Sequence, residues 1–279
     1  MLADAIAAEG YKLLRNRGLL FWGFCAAPLG SFLFNLASET YLFLRYSGTG
    51  LHLAAGGGAR IDAGQQFLQG LFSSTSFFFE IFIIAGAAAL FSGEYRWESW
   101  RLVVPRNSRT NLLLAKFAIF TLAAAGFILA FGIFGAANAV YSVLLNGFSP
   151  SLAIAVPGAT GVFVGSLAEL MLLGAFVALI VTITRTQMAA ALAGIFLVIV
   201  QAIGMGIAHP WEAPLRDFLT LPVMSAYLFR TWAAGQQIGP GVFAHPATVL
   251  VTSLILVLWV AVLGVLATVF FQRQDLSRE

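Results

Sequence analysis

The chain has 279 residues, of which 60% are hydrophobic and only 10% are charged. A mean hydropathy of +0.90 excludes a soluble globular protein, because a soluble domain of this length needs far more charge to cover its surface. The net charge of +3 does not indicate nucleic-acid binding, since no basic stripe with interleaved aromatic residues runs through a soluble region.

Residues 1–18 are predicted to form an amphipathic helix at the inner membrane interface. Its apolar residues share one arc of a helical projection: Leu2, Ala3, Ile6, Ala7, Gly10, Leu13 and Leu14. Lys12 and Arg15 lie off this arc, and with Arg17 they are expected to bind lipid phosphate. A juxtamembrane anchor that only sets the topology is a compatible alternative.

Hydropathy predicts six membrane-spanning helices, at 19–38, 67–92, 112–142, 161–184, 188–207 and 248–271. The third is longer than one crossing requires, so it is expected to tilt or to extend beyond the bilayer. All but four of the 15 lysines and arginines fall on one side of this arrangement. By the positive-inside rule, that side and both termini are cytoplasmic. The predicted fold is an all-α polytopic membrane protein whose residues 1–279 form a single transmembrane domain.

The cytoplasmic connection between the second and third spans is rich in arginine and tryptophan. Residues 93–117 read GEYRWESWRLVVPRNSRTNLLLAKF. A short helix here places Trp97, Trp100 and Val104 on one side, beside a charged stripe of Glu94, Glu98 and Arg101. Tryptophan and arginine dominate interface energetics, so residues 93–107 are predicted to bind a cytoplasmic partner.

Two local signals bound this short helix. Pro105 is predicted to end it, and the side chain of Ser108 is predicted to cap the third span where that span begins.

The outer connections are unequal. Residues 39–66 include the glycine-rich segment GGGA at 56–59, and residues 208–247 contain five prolines. The stretch at 211–232 is too polar and too often interrupted by proline to cross as one helix. Two short helices that enter the membrane and return are predicted before the last span.

Catalytic chemistry is not indicated. The only lysines, Lys12 and Lys116, are not in a phosphate-binding loop, so ATP would have to bind another chain. Ser166 fails the nucleophile-elbow pattern, because the residue two positions further on is alanine. The three histidines lie on the outer side without metal-site spacing. No enzyme activity, metal or cofactor is therefore predicted for this chain.

Two carboxylates are predicted to lie inside the hydrocarbon, Glu80 in the second span and Glu169 in the fourth. A buried carboxylate is costly unless it is neutral, paired or next to water. A proton or substrate relay is one interpretation. The other is interhelical hydrogen bonding, or span ends that differ from the predicted ones so that one of the residues reaches the headgroups. The second is favoured, since no lysine or arginine within a predicted span is offered as a partner.

The chain resembles the permease subunits of type-2 ABC transporters. In that family a glutamate after the second span opens a coupling helix, followed by arginine, aliphatic residues and a basic, proline-containing turn. The positions that carry the resemblance are Glu94, Ser99, Trp100, Arg101, Leu102, Val103, Val104, Pro105, Ser108, Arg109 and Lys116. Glu98 departs from the pattern where glycine is common, and Pro105 precedes Arg106-Asn107 rather than the Ser-Arg pair.

The resemblance implies a half-transporter in a prokaryotic plasma membrane. Two permease chains, identical or paralogous, would pack about a pathway, and separate nucleotide-binding ATPase subunits would bind ATP and magnesium. Export is expected because the family mostly exports. The implied contact with the ATPase is formed by Glu94, Arg96, Trp97, Glu98, Trp100 and Arg101. The alternative is a proton-coupled secondary transporter that uses Glu80 and Glu169, and an intramembrane peptidase is a remoter third.

Overall fold

Six helices give this protein its architecture. The computed structural model describes residues 2–46, 60–96, 108–146, 149–151 and 156–274. Within these ranges, six helices are long and apolar enough to cross a membrane, and they are numbered here as spans 1 to 6: Arg17–Tyr46, Phe77–Tyr95, Arg109–Asn146, Pro157–Thr184, Gln187–Ile207 and Pro246–Arg273. The prediction of an all-α polytopic membrane protein with six spans is confirmed.

Shorter elements precede or join the spans. Helix α1 is Leu2–Arg15, and span 1 consists of helix α2 (Arg17–Leu20), a π-helical turn (Phe21–Cys25) and helix α3 (Ala26–Tyr46). Strand β1 (Arg60–Asp62) and helix α4 (Ala63–Ser73) lead to α5 (Phe77–Arg96), which contains span 2. Span 3 is α6 (Arg109–Asn146), and strand β2 (Ser149–Ser151) pairs with β1 in parallel.

The second half of the chain contains the remaining spans and the segment that joins the last two. Spans 4 and 5 lie in α7 (Val156–Thr184) and α8 (Gln187–Ile207). Between spans 5 and 6 come helix α9 (Leu215–Thr220), helix α10 (Pro222–Ala233) and an antiparallel pair, β3 (Gln237–Gly239) with β4 (Val242–Phe243). Span 6 is α11 (Pro246–Arg273).

Because the number of crossings is even, the start of span 1 and the end of span 6 lie on the same side of the bundle. This side, which also holds the connections after spans 2 and 4, is called the terminal side below, and the opposite side is called the distal side. Spans 2 and 4 are the most buried, whereas spans 1, 5 and 6 are peripheral. The outer faces carry large apolar side chains such as Phe34, Ile207 and Leu250, as contact with lipid requires.

The predicted start of the second span was wrong, because the helix breaks at residues 74–76. Three hydroxyl side chains there bond to carbonyls of the preceding turn: Ser73 Oγ to Gln69 (2.9 Å), Ser74 Oγ to Leu71 (2.7 Å) and Thr75 Oγ1 to Phe72 (3.4 Å). Such bonds compete with the backbone ladder of a helix. The residues before the break therefore form the separate helix α4.

Helix α4 lies directly against the distal half of span 3. A Cβ atom added at Gly135 would come within 2.5 Å of the Gln66 carbonyl oxygen, and one at Gly70 would overlap the Phe131 carbonyl. Glycine at these positions lets the two backbones touch, which is the usual device for close helix packing in membranes.

The segment between spans 5 and 6 forms two short helices, as the sequence predicted. Pro222 starts α10, where its missing N–H costs nothing. Helix α10 packs on spans 4 and 6, and Gly161 and Gly165 of span 4 leave room for Ala233 and Arg230 of α10. The indole N–H of Trp259 in span 6 donates to the Leu219 carbonyl at 3.0 Å, which fixes the end of α9.

Candidate functional site

Four charged side chains meet on the terminal side and are called the terminal cluster. Lys116 Nζ lies 2.5 Å from Glu94 Oε2 and 3.4 Å from Glu9 Oε2. Lys12 Nζ lies 3.0 Å from Glu94 Oε1 and 2.5 Å from Glu9 Oε1. Two cations therefore face two carboxylates, and the cluster joins α1 to spans 2 and 3.

The terminal cluster is largely buried. Lys116 and both glutamates are almost fully enclosed, while the side chain of Lys12 is 48% exposed. Lys116 also donates to the Leu90 carbonyl at 2.7 Å. Charges removed from water are tolerated only when they are paired and hydrogen-bonded, which this arrangement provides. Burial opposes ionisation of Lys12, but Glu9 and Glu94 outweigh it and raise the pKa of Lys12 above its ordinary value.

Helix α1 rests on span 3 through a face that differs from the predicted apolar arc. Its buried residues are Ala5, Glu9 and Leu13, whereas Leu2 and Leu14 are exposed. Leu13 belongs to both faces, the exposed Leu2 and Leu14 remain on the side predicted to contact lipid, and the charge of the buried Glu9 is satisfied by Lys116 of span 3. Lys12, which was predicted to bind lipid phosphate, binds Glu9 and Glu94 instead, while Arg15 and Arg17 are exposed.

Glu94 does not lie on an exposed docking surface, contrary to its predicted role in the partner contact. Its side chain is buried against Lys116 and Lys12 at the last turns of the helix that contains span 2. We assign it an anchoring contact within the chain. The other predicted contact residues, Trp97, Glu98, Trp100 and Arg101, lie outside the described residues, as does the side chain of Arg96.

The end of span 2 and the start of span 3 both contact the end of span 6. Arg109, at the start of span 3, donates Nη1 towards the carbonyls of Phe271 (3.3 Å), Gln272 (3.1 Å) and Gln274 (2.5 Å). The Tyr95 hydroxyl donates to Gln274 Oε1 at 2.7 Å. A cation at the carboxyl end of a helix is favourable, because the last carbonyls lack partners and the dipole is negative there.

The predicted cap of span 3 is confirmed. Ser108 Oγ accepts the backbone N–H of Asn111 at 3.2 Å, the bond expected of an N-cap serine. The described residues on either side of the connection 97–107 are therefore fixed to the bundle, Glu94 by the terminal cluster, and Ser108 and Arg109 by their bonds at the start of span 3 and the end of span 6.

A second group of buried charges lies deeper and is called the inner cluster. It consists of Glu80 in span 2, Glu169 in span 4 and Arg230 in α10, which are 3%, 0% and 4% exposed. Arg230 Nη2 lies 2.9 Å from Glu169 Oε2, and the guanidinium lies 5.2 Å from the centre of the Phe72 ring. The two carboxylates are close enough to interact electrostatically.

The expectation that no cation would be available to these carboxylates was wrong. The sequence placed Arg230 in an outer connection, but α10 folds back against span 4 and inserts this side chain beside Glu169. The partner was missed because Arg230 and Glu169 are 61 positions apart in the chain and meet only through tertiary packing, which local periodicity does not reveal. The available signal was the cost of an unpaired carboxylate in a span.

The inner cluster is unbalanced in charge. One guanidinium faces two carboxylates, and Glu80 Oε1 is buried with no hydrogen-bond partner among the described residues. If both glutamates are ionised, one negative charge remains inside the bundle, and a proton or a monovalent cation has to balance it. Within the described ranges, no group of three or more His, Cys, Asp or Glu side chains forms a metal site.

No protein-family model matches the chain, and no curated protein or solved structure is significantly similar to it.

Proposed function

We propose that this chain is the membrane-spanning permease subunit of a type-2 ABC transporter and that it exports its substrate. A separate nucleotide-binding subunit hydrolyses ATP, with magnesium, and acts on the permease through the connection 97–107. The terminal side then faces the cytoplasm of a prokaryotic cell, and a second permease chain completes the pathway.

The observation that carries the proposal is the anchoring of this connection at both ends. On one side, Glu94 is held by Lys116 and Lys12. On the other, Ser108 caps span 3, and Arg109 binds the end of span 6. A force applied to residues 97–107 is therefore passed to α1 and to spans 2, 3 and 6 rather than absorbed by loose ends. Such rigid-body transfer is how an external motor can drive spans.

The use of the lysines also supports a separate ATPase. Lys12 and Lys116 are the only lysines of the sequence, and both bind carboxylates in the terminal cluster. A phosphate-binding loop needs a lysine that reaches the nucleotide phosphates. Committing both lysines to ion pairs favours binding of ATP by another chain.

The proposal is tested by purifying the tagged full-length chain from its native membranes and measuring ATP hydrolysis and peptide composition. We expect a nucleotide-binding subunit to co-purify with the unaltered chain. Trp97→Ala combined with Arg101→Ala should reduce that association and the ATP hydrolysis rate by about tenfold, since such residues carry much of an interface.

Matched controls are Trp22→Ala and Arg45→Ala, which remove an exposed tryptophan of span 1 and an exposed arginine of the distal side. They should leave association and hydrolysis unchanged. Co-purification and hydrolysis that survive in the Trp97 and Arg101 variant, or the lack of any ATPase with the unaltered chain, would contradict the proposal.

A second candidate is a proton-coupled secondary transporter, favoured by the inner cluster alone. Glu80 and Glu169 lie together inside the bundle with one uncompensated charge, as a proton-binding site in a membrane requires. This candidate predicts that transport by the purified chain persists without nucleotide and stops when an uncoupler collapses the proton gradient. The ABC transporter proposal predicts that transport needs both the ATPase subunit and nucleotide, and that the uncoupler does not stop it.

A further inference from the structure

A polar cavity of about 350 Å³ lies in the distal half of the bundle, between span 1, α4 and span 3. Among its lining residues are Asn35 and Glu39 of span 1, Gln66 and Gln69 of α4, and Asn138 of span 3. A helix surface in contact with lipid would place apolar side chains at these positions. This concentration of amides around a carboxylate indicates that the cavity holds water or a polar ligand.

The shape of the cavity follows from how its three walls pack. Helix α4 touches span 3 backbone to backbone at Gly70 and Gly135, so these two walls meet without a gap. Span 1 reaches span 3 through the stacked rings of Phe32 and Phe134, whose centroids are 4.9 Å apart. Between these contacts the walls diverge, and the volume is within the range of small-molecule sites.

Among the residues that the structure describes, Glu39 is the one ionisable residue that lines the cavity, so the described charge there is negative. Glu39 Oε2 accepts a hydrogen bond from Ser142 Oγ at 3.0 Å. Among the side chains that the structure describes, no lysine or arginine forms an ion pair with Glu39. The site therefore offers a carboxylate oriented by a serine and open to a cation from outside the chain.

Two further groups define the ligand. The Phe32 and Phe134 rings line the cavity, and aromatic faces attract organic cations. Asn138 Oδ1 is a buried acceptor without a hydrogen-bond partner in the described part of the chain. A buried acceptor that lacks a partner is costly, and a ligand hydroxyl or N–H would satisfy it.

We propose that this cavity binds a small organic cation that carries a hydrogen-bond donor. The cationic group contacts Glu39 and the aromatic pair of Phe32 and Phe134, and the donor bonds to Asn138. A bare metal ion does not fit this description, because it would fill only a small part of the cavity and would leave the aromatic wall without a contact. The proposal is independent of the energy source, so its failure leaves the proposed function untouched.

The test compares choline with 3,3-dimethyl-1-butanol, a neutral molecule of nearly the same shape and hydroxyl position. Binding is measured by titration calorimetry on the purified full-length chain in lipid nanodiscs. Choline should bind at least about tenfold more tightly than the neutral molecule, as expected when a charge-assisted contact is lost. Glu39→Gln should weaken choline binding by about tenfold and leave the weak binding of the neutral molecule unchanged.

Glu212→Gln is the matched control, since it is the same substitution at an exposed distal residue outside the cavity, and it should change neither affinity. Asn35→Ala, at an exposed cavity position, carries little risk to folding; it removes an amide that can donate to the hydroxyl oxygen of choline and should weaken choline binding about threefold, as loss of a single neutral hydrogen bond predicts. Equal affinity for the two molecules, full choline affinity in the Glu39→Gln variant, or no choline binding at millimolar concentration would each overturn the proposal.

Discussion

The terminal cluster and the inner cluster are both buried groups of charged side chains, but only the first is balanced. In the terminal cluster, Lys12 and Lys116 face two carboxylates, and every member has an oppositely charged contact. In the inner cluster, Arg230 is the single cation beside Glu80 and Glu169.

The difference separates a structural role from a possible functional one. Balanced ion pairs hold elements in register, and removing one member leaves a buried charge that is expensive. An excess carboxylate inside a bundle has to be neutralised by a proton or a cation. The terminal cluster is therefore an anchor within the chain, whereas the inner cluster is the place where the alternative proposal, proton coupling, would act.

The largest effect is expected from Lys116→Met. This change leaves the buried carboxylate of Glu94 facing only the half-exposed Lys12, so the free energy of unfolding should fall by about 3–5 kcal/mol. Unfolding in mixed detergent micelles measures it. The control is Lys12→Met, where solvent already screens the cation and the loss should be about 1 kcal/mol. Equal losses at the two lysines would show that burial does not govern this cluster.

Arg230→Met should lower the free energy of unfolding by about 3 kcal/mol, because it removes the only cation of the inner cluster. Adding Glu169→Gln to that variant should recover at least about 1 kcal/mol, since it removes one of the two carboxylate charges that Arg230→Met leaves unpaired. The same unfolding assay on the single and double variants measures the coupling. If the double variant is less stable than Arg230→Met alone, the pair is not an ion pair in the membrane protein.

A smaller effect of opposite sign is expected from Glu80→Gln. Because Glu80 is the excess carboxylate, its neutral isostere should leave the free energy of unfolding unchanged or raise it by up to about 1 kcal/mol. The same substitution in the balanced cluster, Glu94→Gln, should lower it by about 2 kcal/mol. Parallel unfolding curves compare the two variants, and a loss of stability at both positions would remove the distinction between the clusters.

The smallest effect concerns pH and Lys12. Its pKa is raised in the folded protein, so its contribution to stability is fully present below the ordinary lysine pKa and is lost as pH rises through the raised value. The difference in unfolding free energy between the unaltered chain and Lys12→Met should therefore stay constant from neutral pH up to the ordinary lysine pKa and shrink only at higher pH. A difference that disappears near neutral pH would contradict this assignment.

Part of the fold could be predicted because membranes impose simple rules. The number of spans follows from hydropathy, and the cap at Ser108 follows from a local bond between near neighbours in the chain. The break before span 2 also had a local signal, the run of hydroxyl residues from Ser73 to Ser76, whose competition with the helix ladder was not counted.

The charged contacts could not be predicted in the same way. The pairing of Glu9 with Lys116 depends on how α1 crosses span 3. The contact of Arg230 with Glu169 depends on the fold of α10 against span 4. Such contacts join residues far apart in the chain, and a helical projection carries no information about them.

The central claim is that residues 97–107 form a cytoplasmic connection covered by a partner, and the sidedness of one introduced cysteine tests it most directly. Asn107→Cys in a Cys25→Ala background is labelled with a membrane-impermeant maleimide in sealed native vesicles of both orientations. We predict labelling only in inside-out vesicles, and stronger labelling after urea strips peripheral subunits from them. Labelling in right-side-out vesicles would contradict the account.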